Sequence, residues 1–115
     1  MKLSDLIFSG FNKRVAALHR QTGHILWQWT APSGRSYVSL LLDGDLLVVS
    51  VDGYMYGLDA LTGKLRWAND MKGFGMGVTA LVSQNGSPSQ ASVLAASALQ
   101  AAHQHQHQTT FHSNP

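Results

Sequence analysis

The chain has 115 residues, 44% of them hydrophobic and 12% charged, the balance of a sequence that folds as one small domain. Eight basic and six acidic residues are interleaved without a basic run, which argues against a nucleic-acid footprint although the pI is about 9.2. With no cysteine, neither a disulfide framework nor a thiolate metal centre can form.

The opening MKLSDLIFSG interrupts a short apolar patch with Asp5, too little for a signal-peptide core, and no run is long enough to span a bilayer. As written, the chain reads as unexported. Short β-rich runs follow, at about 6–11, 14–18 and 24–29, then YVSLLL, LLVVS, YMYGL and KLRW between 37 and 67. Breaks such as DGD, VDG and DALTG separate them, and Asp-Gly pairs accept positive φ cheaply, so each break predicts a tight antiparallel hairpin.

An offset of 40 residues lays ALHRQTGHILW (17–27) over GLDALTGKLRW (57–67), returning Leu18, Thr22, Gly23 and Trp27 as Leu58, Thr62, Gly63 and Trp67. The same offset aligns 7–18 with 47–58 and 36–42 with 76–82. A period near forty is that of a four-stranded propeller blade. Labelling strands A to D from the channel outward, the chain runs B-C-D, A-B-C-D, A, the last A being expected at 76–82. The expected fold class is therefore all-β: two four-stranded antiparallel propeller-type blades over 1–83, then a short helix and a disordered tail.

Within the motif, Asp59 is expected to cap the turn through its carboxylate, and Gly63 to reverse the chain in the left-handed region. The first copy has His19 in place of Asp59, lacks that carboxylate, and is expected to form the weaker hairpin. Trp27 and Trp67 are expected to wedge between neighbouring sheets, with the small residues Ala17 and Gly57 leaving room for an indole from next door. Trp29, whose repeat equivalent is Asn69, reads as a solvent-side or interface residue. Phe74 and Met76, in the glycine-spaced KGFGMG, are expected to pack at a blade junction. That loop lacks the Lys-Ser/Thr of a phosphate cradle and leads into a strand.

ALHRQTGHILW and GLDALTGKLRW resemble the A-L-D-x-x-T-G-x-x-x-W signature of PQQ-like (quinoprotein alcohol dehydrogenase-like) β-propeller repeats, over roughly residues 6 to 83. The resemblance implies a ring of blades, usually eight, each tryptophan docking on the adjacent blade. It also implies two functional classes, pyrroloquinoline-quinone dehydrogenases and non-enzymatic scaffolds such as outer-membrane assembly lipoproteins. Dehydrogenases of the family use PQQ with calcium, a catalytic aspartate and often a vicinal cysteine pair. This chain has no cysteine and no acidic cluster outside its turns, so no catalytic, cofactor-binding or metal residue is assigned and no cofactor is expected. Asp43, Asp45 and Asp52 read as turn carboxylates.

Both faces of LLVVSV are apolar, and a sheet apolar on both faces calls for cover on both. The functional expectation is a non-catalytic binding or scaffold module that self-associates head-to-tail in three or four copies, or takes a protein partner. The alternatives are a fragment of a quinoprotein dehydrogenase or a degenerate remnant of a longer propeller. A compact monomer, with 76–82 folded back onto the chain's own first three strands, is the structural rival. Residues 84–104 read as a polar linker and an Ala-rich helix, starting at Ser87-Pro88-Ser89-Gln90 and running to about His103. Residues 105–115 read as a disordered His/Gln tail. His103, His105, His107 and His112 can ligate a transition metal, but without fixed geometry they define no site.

Overall fold

The computed structural model describes residues 1–86. The helix and tail expected over 84–104 and 105–115 lie, from residue 87 onward, outside the described residues. Seven strands form two antiparallel meanders: β1 (Leu6–Phe11), β2 (Arg14–His19) and β3 (Ile25–Thr30) in one sheet, β4 (Val38–Asp43), β5 (Leu46–Val51), β6 (Tyr54–Asp59) and β7 (Leu65–Asn69) in the other. A 3₁₀ turn, Leu3–Asp5, precedes β1. The fold is all-β, and the sheets correspond to the expected B-C-D and A-B-C-D blades. Among the described residues no helix is long and apolar enough to cross a membrane.

Turn chemistry sets this alternation. The β1–β2 turn places Asn12 and Lys13 at φ 48° and 59°, and the β5–β6 turn places Asp52 and Gly53 at 53° and 98°. Two consecutive positive φ values give the hairpin twist that matches flanking strands, and Asn, Asp and Gly bear them at least cost. Both motif turns carry the same irregularity, a register shift after Ala17 against β3 and after Gly57 against β7. The two blades are thus copies of each other down to a bulge.

Strand alternation then sorts the side chains. Phe8, Val15, Ala17, Trp27 and Trp29 of the first sheet face Val38, Leu40, Leu47, Val49, Val51, Tyr56 and Leu58 of the second, and this layer is the main core, with Leu41 and Leu81 buried outside it. Its inner end is tight, because a side chain at Gly10 would collide with Val38 of β4. Trp29 meets Tyr56 edge-on, ring centroids 4.8 Å apart at 65°, an arrangement that pairs a positive ring edge with a negative face. Trp29 is therefore an interface residue, and the interface is the one between the chain's own blades.

One expected strand is not formed. Residues 76–82 pair with no strand among the described residues, and in particular not with β1, the pairing a folded-back arrangement calls for. The segment instead lies on the far side of the second sheet, where the Ser50 hydroxyl donates to Thr79 Oγ1 (2.7 Å) and Gly77 N–H donates to the Asp52 carbonyl (3.3 Å). Ser50 stands forty residues after Gly10, so 76–82 lies on the face of the second sheet that corresponds to the β4-facing side of the first, although the residue met is Thr79 and not Val78 or Ala80, the equivalents of Val38 and Leu40. It has the place of an A strand without a B strand to pair with, and an unpaired segment has no ladder to hold its register.

Candidate functional site

The repeat motif builds a knob and a socket in each blade. In the second copy, the socket is a turn closed by Asp59 N–H to the Lys64 carbonyl (2.7 Å) and Gly63 N–H to the Asp59 carbonyl (2.7 Å). Asp59 Oδ1 accepts from Leu61 and Thr62 N–H (3.0 and 3.2 Å), and Thr62 Oγ1 accepts from Lys64 N–H (3.2 Å). Arg66 adds ion pairs to Asp45 and Asp59, both 3.1 Å. Its guanidinium, more than the two amide bonds, holds the Asp59 carboxyl below the ordinary carboxylate value.

Trp27, the knob of the first blade, fills this socket. Its ring lies against Gly63, where any Cβ would collide with it, and its Nε1–H donates to the Ala60 carbonyl (3.0 Å). The Ala60 amide in turn donates to the Asp45 carbonyl (2.9 Å), so the whole turn is tied to the β4–β5 hairpin. Gly63, at φ +77°, is needed twice over: for its left-handed backbone and for the absence of a side chain under the indole.

This corrects the expectation about the small residues. Gly57 makes room for Trp67, its own cross-strand partner in the same blade, and Ala17 pairs with Trp27 in the same way. The receptor for a neighbour's indole is the turn, Ala60 to Gly63. The signal was present in the motif, since Thr62-Gly63 recurs as Thr22-Gly23.

The first copy's turn is built on the same bonds: His19 N–H to the His24 carbonyl (2.8 Å), Gly23 N–H to the His19 carbonyl (2.7 Å), Arg20 N–H to the Asp5 carbonyl (2.7 Å), and His24 N–H to Thr22 Oγ1 (3.3 Å). His19 substitutes for the missing carboxylate with one bond, accepting Gln21 N–H at Nδ1 (3.1 Å), where Asp59 accepts two. Leu26 stands where Arg66 does, so no ion pair supports it. A Cβ at Gly23 would touch nothing, and among the described residues nothing donates to the Arg20 carbonyl. Trp67, correspondingly, is 40% exposed and finds no acceptor for its indole N–H among them.

The carboxylates of Asp5, Asp52 and Asp59 accept backbone N–H bonds. Asp52, which reads as a turn carboxylate, reaches further: its carboxylate accepts N–H bonds from Arg35 (2.6 Å), Ser36 (3.3 Å) and Tyr37 (3.2 Å), tying the inter-blade connection to the second blade. The Asp52-Gly53 pair announces a turn but not a partner seventeen residues upstream. Asp45 is held by Arg66. Phe74 and Met76 are 78% and 69% exposed and, with Met55, Met71 and Thr79, line an open depression of about 290 Å³. Its only polar side chain, Thr79, is bonded to Ser50, so it offers soft apolar contact and no acid–base group. Among the described residues no three His, Asp or Glu converge as metal ligands. The four tail histidines fall outside them.

A Trp-into-turn junction between a three-stranded and a four-stranded sheet, built from a motif that recurs after forty residues, points to the kinship, and the comparison of sequences agrees. The chain belongs to the PQQ-like repeat family. The matching family profile is described as outer membrane protein assembly factor BamB and spans residues 4–110. No curated protein matches the chain.

Proposed function

We propose that this PQQ-like repeat chain is a non-catalytic binding and scaffold module that completes a propeller by head-to-tail self-association. The observation that carries the reading is the contrast between equivalent positions on the two sheets. Leu47 and Val51, on the second sheet's inward face, are 1% and 0% exposed, whereas Ile7 and Phe11, forty residues earlier, are 51% and 73% exposed. Ile25 on the same outer face is 57% exposed. One sheet has its cover and the other presents the same surface bare, and large exposed apolar faces mark interaction sites.

The segment 76–82 supports the same reading, since it lies where a third blade's A strand belongs and the free edge of β1 is the B strand it lacks. Propellers close with about 4 to 8 blades, so three or four copies of a two-blade chain give six or eight. The turn-bound carboxylates argue for scaffold over enzyme, because a carboxylate already accepting backbone N–H bonds is not placed to act on a substrate. Light scattering after size-exclusion chromatography is expected to give a mass three or four times the 12.5 kDa chain. A strictly monomeric mass overturns self-association. Saturable absorbance change on adding PQQ and calcium, with dye-linked alcohol oxidation, overturns the non-catalytic reading.

A further inference from the structure

The open knob and the open socket are parts of one joint. We propose that Trp67 of one copy seats in the Arg20–Gly23 turn of a second copy, its indole N–H donating to the Arg20 carbonyl and its ring lying on Gly23. This rests on the self-association proposed above and names the contact that performs it.

The argument is continuity with the interface already inside the chain. Between the blades, Trp27 Nε1–H bonds the Ala60 carbonyl and the ring covers Gly63. Moving each residue by the 40-residue period turns Trp27 into Trp67, and the inverse move turns Ala60 and Gly63 into Arg20 and Gly23. The receiving turn is already built: the bonds closing it at His19, Gly23 and Arg20 match those at Asp59, Gly63 and Ala60 to within 0.2 Å. Gly23 has the left-handed φ of +76° against +77° at Gly63, with open space where the occupied socket holds an indole.

Trp67 is also aimed by its own blade, lying over Gly57 with two-fifths of its surface uncovered. A side chain in an open pocket of this kind is the anchor that dominates a protein–protein interface, and Trp leads the residue types found there. Because knob and socket sit on different blades, the joint is heterologous, and each copy offers one of each.

That asymmetry gives a test by complementation. Trp67→Ala removes the knob and leaves the socket, while Gly23→Asn fills the socket with a residue that tolerates positive φ and leaves the knob. The full chain and both variants would be sedimented over a range of concentrations, with circular dichroism to verify the β-fold. Each variant alone is expected to associate about 30-fold more weakly or worse than the parent chain. An equimolar mixture is expected to form heterodimers and stop there, since only Trp67 of the Gly23→Asn chain and the turn of the Trp67→Ala chain can join. If the parent assembles and both folded variants assemble equally well, this contact is wrong while self-association stands. If either variant fails to fold, the other still decides, by retaining or losing assembly. A parent chain that stays monomeric overturns the contact together with the reading it rests on.

Discussion

The two tryptophan-ended hairpins share a motif and a bonding pattern, yet one has found its neighbour and the other has not. Trp27 is half-buried, hydrogen-bonded and set against Gly63, while Trp67 lies on its own sheet with 40% of its surface in solvent. What differs is the presence of a blade on the far side. The comparison teaches that the motif makes a joint and not a fold: the hairpin closes by itself, and the indole's contribution depends on what is placed opposite.

The sharpest way to break that comparison is to delete each indole in turn. Trp27→Ala should destabilise the chain by about 3–4 kcal/mol in urea denaturation, combining lost packing between the sheets with a lost hydrogen bond. Trp67→Ala, measured at a concentration where the chain is dissociated, should cost only about 1 kcal/mol, since there the ring covers Gly57 and little else. Equal losses would mean that the inter-blade contact adds nothing to the hairpin.

A smaller effect comes from the two glycines. Alanine at Gly23 should cost about 1 kcal/mol, the strain of a side chain at positive φ in open space. At Gly63 the same strain is joined by collision with Trp27, and the cost should reach about 2–4 kcal/mol. The difference between the two measures how firmly the socket grips.

The smallest effect separates the turn caps. His19→Asp should stabilise the first hairpin by about 0.5 kcal/mol by adding a second accepted bond, the arrangement that Asp59 already has. The Asp59 carboxyl is held below its ordinary value of 3.8 by Arg66 and by two backbone N–H groups. Its contribution is therefore complete above that pH and lost as the pH falls through the lowered folded-state value. In acid unfolding Asp59→Asn should be less sensitive below about pH 4 than the parent.

Much of this architecture was legible in the sequence because turns are local. Asp52-Gly53 and Thr62-Gly63 declare their backbone geometry without help, and the 40-residue offset joins them into blades. What was not legible depended on partners distant in the chain. The sequence 76–82 reads as a strand, but a strand is a pairing, and its partner is absent from the described residues. Asp52 reads as a turn residue because nothing local reveals that three amides of residues 35–37 converge on it. Smallness at Gly57 suggests room for a neighbour's indole, whereas that space belongs to the blade's own Trp67.

The position where the inner strands cross carries one more lesson. In the first blade it is Gly10, bare enough for Val38 to press against the backbone, and in the second it is Ser50, which holds Thr79 off through a hydroxyl bridge. One junction is thus an apolar contact on bare backbone and the other a polar bridge. In the assembly proposed above the two contacts would alternate, because every copy supplies one of each.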